Sequence, residues 1–212
     1  MQAYRTLPIY ISILILSSCL NPNQKFIKRI DSSGGIYTKI VTEKGNIVAK
    51  LEFEKAPLTV ASFIGLAQGL IPNEFKKPGV PFYDGLKFYK VFKGNMLMTG
   101  CPKNDGYGHP GYLFADEFHP ELIHNAAGIL SMVSNGPNTN GSQFIITQRA
   151  NAELDNKNPV FGKVISGMDI VNRVQQGEVI LKIEIIKIGR KANAFNPNSV
   201  FTANGFEHMI KQ

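Results

Sequence analysis

The stretch from Ser131 to Thr147, SMVSNGPNTNGSQFIIT, constrains the fold most, because it places a turn-forming segment between two apolar runs. Its two Asn-Gly pairs, 135–136 and 140–141, tolerate positive φ, and Pro137 fixes its own φ. We therefore predict strands at 128–132 and 143–147, joined by a tightly shaped loop. Four polar side chains offer hydrogen-bonding groups for one of two roles, contact with an extended peptide or satisfaction of backbone groups of the loop: Asn138, Thr139, Asn140 and Gln143.

Alternating apolar and polar residues, bounded by turn signals, predict further strands around this pair. These strands span 36–42, 45–53, 86–92, 96–100, 160–165 and 179–188. Apolar stripes at helical spacing predict helices at 57–68 and 168–175, and a smaller helix is expected at 199–210. Many antiparallel strands with two isolated helices indicate a barrel that closes its own edges.

Composition indicates one domain and excludes several classes of binding protein. A chain of 212 residues with 43% hydrophobic residues can bury one sizeable core. The formal charge of +7 comes from lysines and arginines scattered along the chain, without the clustering expected of a nucleic-acid groove. We expect weak attraction to anionic surfaces, no nucleic-acid partner and a monomer.

Several kinds of catalytic site are disfavoured by residue spacing. The histidines are not at metal-ligand spacings, so no metal site is predicted. The glycine-rich segment 101–111 is not followed by the GK[ST] of a phosphate-binding loop, and Ser142 lacks a G-x-S-x-G elbow. Phosphate-loop and serine-hydrolase chemistry are therefore not expected, and no cofactor is predicted.

The N-terminus indicates export. Arg5 precedes an apolar run at 7–16, which is too short to span a bilayer comfortably and has the form of a signal-peptide core. Residues 16–19, Leu-Ser-Ser-Cys, resemble a bacterial lipobox, in which the cysteine is acylated and becomes the first residue of the mature protein. The alternatives are an ordinary signal peptide or a buried N-terminal helix with an incidental Cys19.

This interpretation divides the N-terminal region into a lipoprotein signal peptide at 1–18 and a flexible tether at 19–35. Leu20 is not the aspartate that often signals inner-membrane retention, so the resemblance implies a lipid anchor in the outer membrane of a bacterial cell envelope. With Cys19 acylated, Cys101 has no intramolecular partner and is expected to be a buried thiol.

The run GPNTNGSQF at 136–144 resembles the signature of the cyclophilin-type peptidyl-prolyl isomerases, and similar runs occur elsewhere. These runs lie at 82–100, 111–118, 124–132 and 158–174. The resemblance implies a mainly β fold, a closed eight-stranded antiparallel barrel capped by two α-helices. It assigns 36–189 to this cyclophilin-like domain and leaves 190–212 as a C-terminal extension.

The chemistry implied by the resemblance needs no proton transfer and no metal. Rotation about an X-Pro bond is slow because twisting it loses amide resonance, a barrier of about 18–20 kcal/mol. A protein lowers this barrier by holding the proline ring and aiming a donor at the prolyl nitrogen. The family donor is an arginine in an F-H-R-V run, and Lys90 occupies that position in Phe88-Tyr89-Lys90-Val91. Gln143, the second implied catalytic residue, is retained.

Of the remaining positions that the resemblance implies, some match the family pattern and others differ from it. The substrate-binding positions are Asn95, Met96, Met98, Val133, Ser134, Ile145, Leu154 and Asn158. Met96 and Leu154 match the family pattern. Asn95 and Ile145 replace phenylalanines, Asn158 replaces a histidine, and Met98 replaces the glutamine that steadies the arginine. Val133 and Ser134 replace a small residue and an asparagine.

Two hypotheses follow. The first is an isomerase that acts on X-Pro bonds of envelope proteins, with activity reduced by these substitutions. The second is a catalytically inactive lipoprotein that binds proline-containing peptides or has a structural role. Met96, Gln143 and Leu154 favour the first, whereas Lys90, Met98 and Asn158 favour the second.

Overall fold

The structure, a computed structural model, describes residues 22–205. Eight β-strands of this range form one antiparallel sheet. The strands are β1 Gly35–Thr42, β2 Gly45–Leu51, β3 Lys90–Phe92, β4 Met96–Thr99, β5 Ile129–Met132, β6 Phe144–Thr147, β7 Val160–Ser166 and β8 Ile180–Ile188. Their order in the sheet is β3-β4-β6-β5-β7-β2-β1-β8.

The helices pack around this sheet. They are α1 Pro22–Ile30, α2 Pro57–Ala67, α3 Met168–Val171, α4 Arg190–Ala194 and α5 Pro197–Gly205, with a 3₁₀ turn at Ala152–Leu154. Phe63 of α2 anchors the core, with its ring centroid 5.4 Å from that of Phe144 and 5.3 Å from that of Phe161. Aromatic rings in such edge and tilted contacts stabilise the core beyond their burial alone.

The two strands predicted on either side of the signature loop are confirmed as β5 and β6, which pair with Leu130 opposite Ile146. The predicted turn residues are wrong in detail. Positive φ occurs at Gly136 and Asn138, at 143° and 59°, and not at Asn135 or Asn140. Asn140 is instead buried, and its amide donates to the Phe114 carbonyl oxygen.

The mainly β, eight-stranded antiparallel architecture is confirmed, but the predicted closure of the barrel is wrong. The regular ladders end at β3 and β8, so the sheet is a curled half-barrel. The gap between these strands is crossed only by an isolated bridge between Lys87 and Val179, with flanking backbone hydrogen bonds, in the described part of the chain. Pairing stops there because Gly177, at φ 91°, turns the chain out of the extended conformation.

The helices differ from the expectation of two α-helices that cap the barrel. Helix α3 ends at Val171, four residues short of the predicted end. The segment predicted as a flexible tether, 19–35, contains α1, whose Ile27 is fully buried against Tyr37, Val48, Ile186 and Ile188. Hydrogen bonds fasten α1 as well, since the Asn23 amide donates to Glu184 Oε2 over 2.8 Å.

The C-terminal extension completes the core. Helix α5 overlaps the small helix predicted at 199–210, and its Phe201 ring lies 5.1 Å from Tyr112 and 6.4 Å from Phe114. Because α5 packs on α2, every α2 residue from Leu58 to Ala67 is buried, and not only the predicted stripe. The predicted signal peptide, Cys19 and residues 206–212 lie outside the described residues. Among helices of residues 22–205, none combines the length and apolarity needed to cross a membrane.

Replacing Phe201 by alanine is expected to lower the free energy of unfolding by about 3–5 kcal/mol, the range for removing a buried aromatic ring. Urea denaturation followed by circular dichroism measures this. The control is Thr202→Ala on the exposed side of the same helix, which should change stability by no more than about 0.5 kcal/mol. Equal stability of the two variants would show that α5 is not part of the core.

Candidate active site

The outer face of β3, β4 and β6 brings four predicted site residues together. Lys90 lies directly opposite Met98, and Met98 lies opposite Ile145. Paired residues of antiparallel strands point to the same face, so these three form one row across the sheet. Met96 lies two residues from Met98 and shares that face. We call Lys90, Met96, Met98 and Ile145 the groove floor.

Lys90 supplies the positive charge of the groove floor. Its side chain is exposed, and its Nζ lies 4.8 Å from the centroid of the Phe92 ring. Across residues 22–205 this Nζ has no carboxylate within ion-pair distance and no hydrogen-bond acceptor. The ring attracts the cation without occupying its N–H donors. Phe92 is not among the predicted site residues, although spacing by two residues along a strand places it beside Lys90.

Gln143 is largely buried and its amide is fully engaged. Its Nε2 donates to the carbonyl oxygens of Gly106 and Gly108 over 3.1 and 2.7 Å, and its Oε1 accepts from Tyr89 Oη over 2.5 Å. Burial raises the pKa of Tyr89 well above its usual range, so the phenol stays neutral and donates. The residue predicted as catalytic therefore positions the loop after β4. Tyr89 has no sequence signal beyond its place next to Lys90.

The loop 101–111 forms a wall of the groove. Cys101 is a buried free thiol, as predicted, and its Sγ accepts the backbone N–H groups of Gly106 and Gly108, each over 3.3 Å. A cavity of about 250 Å³ separates this loop from Val133 and Gln143. Two further predicted site residues are thus brought to one cavity beside the groove floor.

The polar loop predicted to face a peptide is committed to internal hydrogen bonds. Asn138 Oδ1 accepts the Asp116 backbone N–H, the Asn140 amide donates to Asp116 Oδ1, and Thr139 Oγ1 donates to the Gly136 carbonyl oxygen. Ser134 Oγ likewise donates to that carbonyl oxygen over 2.6 Å. These bonds correspond to the predicted role of satisfying loop backbone groups, while Asn138 remains exposed at the surface.

Leu154 and Asn158 lie together in the segment before β7. Leu154 ends the 3₁₀ turn, and the Asn158 backbone N–H donates to its carbonyl oxygen over 3.0 Å. The Asn158 amide donates to the Met132 carbonyl oxygen over 2.8 Å, which ties this turn to the end of β5. Asn158 thus holds backbone at the position where the family has a histidine.

Asn95 lies at the β3–β4 hairpin, away from the row through Lys90. Its Oδ1 accepts from Arg149 Nε over 3.3 Å and from Asn151 Nδ2 over 3.4 Å. The side chain that replaces a family phenylalanine therefore fastens the hairpin to the segment after β6 and supplies no apolar surface. The accessible apolar surface of the floor comes from Met96 and Met98, next to the exposed Lys90.

A buried pair supports the 3₁₀ turn. His124 Nδ1 lies 2.8 Å from Asp155 Oδ1, which also accepts the His124 backbone N–H. Burial lowers the pKa of His124 against the opposing effect of Asp155, so the ring is neutral at neutral pH. The sequence analysis gave His124 no role, because its partner is 31 residues away.

No group of three or more histidine, cysteine or acidic residues in the described part of the chain is arranged to hold a metal ion.

Comparison with known proteins gives a family match over most of the chain. Residues 37–190 match the model of the cyclophilin type peptidyl-prolyl cis-trans isomerases. Peptidyl-prolyl cis-trans isomerase A of Mycobacterium tuberculosis is 46% identical over 128 residues, which cover 58% of this chain and 70% of that protein. Peptidyl-prolyl cis-trans isomerase B of Streptomyces anulatus is 41% identical over 133 residues, 61% of this chain and 76% of that protein.

A solved structure shares the fold. A cyclophilin type peptidyl-prolyl cis-trans isomerase of Cryptosporidium parvum superposes with a TM-score of 0.62 at 29% identity, covering 72% of this chain and 98% of that one. A second crystal structure of that protein, in the presence of the dipeptide Ala-Pro, gives a TM-score of 0.59 at 28% identity, covering 73% and 99%.

The neutral, buried His124 predicts a pH dependence of stability. Its pKa is lower in the folded than in the unfolded chain, so the unfolded chain binds more protons below about pH 6.5. The free energy of unfolding should therefore fall as pH falls from 6.5, by up to about 1.4 kcal/mol per pH unit. His124→Asn should flatten this slope between about pH 5 and 6.5, above the range where carboxylates titrate.

The matched control is His119→Asn, in a half-buried loop position, which should keep the slope. Denaturation midpoints measured at several pH values give both slopes. A slope unchanged in His124→Asn would mean that another group is responsible.

Proposed function

The chain belongs to the cyclophilin-type peptidyl-prolyl cis-trans isomerase family, and from this premise we propose that it is a lipid-anchored folding catalyst acting on envelope proteins. The isomerase activity itself is supported by the family match and by relatives that are 41–46% identical. The client proteins, the anchor and the place in the cell are the proposed part.

The groove floor fits the needs of X-Pro isomerisation. Met96 and Met98 offer a part-exposed apolar surface for the proline ring, with the buried Ile145 beneath them, and Lys90 offers N–H donors that no other described group occupies. As the bond twists, the prolyl nitrogen lone pair is freed from amide resonance and becomes an acceptor. A donor that meets this lone pair only in the twisted state lowers the barrier. The unoccupied cation on the groove floor is the observation that carries the proposal.

The substitutions support a reduced rate. Lysine keeps the charge of arginine but lacks the planar fork that several acceptors can hold in place. Met98, directly opposite Lys90, has no hydrogen-bond donor and only a weak sulfur acceptor, so it cannot fix the cation as a glutamine would. We expect Lys90 to reach the transition state from several rotamers, which costs entropy on each turnover.

The envelope location rests on the lipobox resemblance at 16–19. Acylation of Cys19 would place the domain at a membrane surface, and Leu20 favours the outer membrane of a bacterium. The clients would then be envelope proteins with exposed X-Pro bonds. A monomer is supported by the distribution of the exposed large apolar side chains. They include Phe26, Phe92 and Leu181, which lie on three different elements, whereas a subunit interface needs one contiguous apolar patch.

Lys90→Ala is expected to lower kcat/KM on X-Pro peptides roughly hundredfold, the effect of losing one well-placed donor in other enzymes. A coupled isomerisation assay or exchange NMR measures it. Lys93→Ala, in the adjacent exposed hairpin, is the charge-matched control and should retain the parent rate. The combined change Lys90→Arg, Met98→Gln, Asn158→His should raise the rate above the parent.

The same assay decides the alternative of a non-catalytic peptide-binding lipoprotein. A parent rate equal to the uncatalysed rate would support that alternative and remove the isomerase. A parent rate that survives Lys90→Ala would leave the isomerase in place and remove the role of Lys90.

For the anchor, a labelled fatty acid is expected to be incorporated into the parent chain in bacterial cells and to be absent from Cys19→Ala. Cys101→Ala is the matched control, since that thiol is buried, and it should be labelled like the parent. Equal labelling of Cys19→Ala and the parent would contradict acylation at Cys19.

A further inference from the structure

Helix α1 has one face committed to the sheet and one face without a described partner. Its inward side carries Asn23, Gln24 and the buried Ile27, which bond or pack onto β8 and its neighbours. Residues three and four apart share a helix face, so the side chains between them point away. The outward side carries Lys25, Phe26, Lys28 and Arg29, all exposed.

The outward side is positively charged without neutralising partners. None of its three cations forms an ion pair or hydrogen bond with another group of residues 22–205. The nearby carboxylates are already engaged, because Asp31 pairs with Lys50 over 2.8 Å and Glu184 pairs with Lys39 over 3.5 Å. Phe26, with 45% of its surface exposed, adds an aromatic ring at the edge of the cationic strip.

The position of α1 along the chain points to a membrane. Its first residue, Pro22, is three residues beyond Cys19. Three residues span at most roughly 11 Å. An acylated Cys19 would therefore bring the helix to the depth of the lipid headgroups. Clustered basic residues attract anionic headgroups, and an exposed aromatic ring beside them suits the headgroup region of a bilayer.

We propose that the outward face of α1 is a second membrane contact, which binds the surface of an anionic phospholipid bilayer. This inference rests on the proposed lipid anchor. Lys25, Lys28 and Arg29 attract the headgroups, and Phe26 inserts its ring at the interface. Stable membrane association commonly takes two signals, a lipid chain and a basic patch, and α1 supplies the second.

This contact fixes the orientation of the active site relative to the bilayer. Helix α1 covers β8 and β1, whereas the groove floor lies on β3, β4 and β6. Four strands separate β4 from β1 in the curled sheet, namely β6, β5, β7 and β2. With α1 on the bilayer, the groove floor lies on strands that α1 does not cover and stays open to clients.

The test uses a fluorophore that the chain lacks, since it contains no tryptophan. Phe26→Trp, in the full chain isolated with its anchor, is reconstituted in vesicles of phosphatidylcholine alone or with phosphatidylglycerol. In the anionic vesicles its emission should shift to shorter wavelength and be quenched by brominated lipid. Phe75→Trp, exposed on a loop outside α1, should show neither change.

Charge variants test the mechanism. Adding Lys25→Gln, Lys28→Gln and Arg29→Gln to Phe26→Trp should abolish the shift and the quenching. Lys77→Gln, Lys87→Gln and Lys103→Gln remove the same number of charges elsewhere and should leave both intact. Emission from Phe26→Trp that is indifferent to phosphatidylglycerol would overturn the proposal.

The outcome separates this contact from the anchor. Fatty-acid labelling at Cys19, with no quenching of the tryptophan introduced by Phe26→Trp, would refute the α1 contact and leave the anchor standing. Without labelling at Cys19, quenching of that tryptophan by added anionic vesicles would support the α1 contact and refute the anchor.

Discussion

The register of β4 and β6 is the constraint on which core and groove both depend. One set of alternate residues, Leu97 and Ile146, points into the core, and the other, the part-exposed Met98 and the buried Ile145, lies on the side of the groove floor. A shift of the strand register by one residue would exchange the two sets. The core residues would then be exposed, and the residues of the groove floor would point into the core. The register is held from inside, because Phe144 packs against Phe63 in the core. The catalytic surface is therefore specified largely by packing on the opposite side of the same strands.

Gln143 links this sheet to the loop that walls the groove. Its amide bonds to two loop carbonyls and to Tyr89, so a peptide that used the same donors would have to displace the loop. A buried amide whose partners are removed costs about 1–3 kcal/mol. We infer that Gln143 acts on the substrate through the position of the loop 101–111, and that the cation is the group left to meet the reacting bond.

The sequence was sufficient for elements whose signals are local. Turn residues and period-two alternation located most of the strands, whereas the strand predicted at 86–92 is regular only at Lys90–Phe92. Prediction from the sequence failed where a residue's contact partner is distant along the chain. Asn140 bonds to Asp116, 24 residues away, and α1 hides a single buried apolar residue, Ile27, in a polar and basic segment that has the composition of a tether. Burial of α2 on all sides depends on α5, more than a hundred residues downstream.

The two departures from the family pattern, Lys90 and Met98, suit each other. An arginine at 90 would present five N–H donors over the groove floor, and Met98 opposite offers them only a weak sulfur acceptor. A lysine needs less support there, because its compact ammonium group stays solvated at an exposed position while the Phe92 ring attracts it. The groove thus replaces a held, planar donor with a mobile, solvated one. This arrangement keeps a positive charge on the groove floor and gives up part of its preorganisation, which is the physical basis of the reduced rate proposed above.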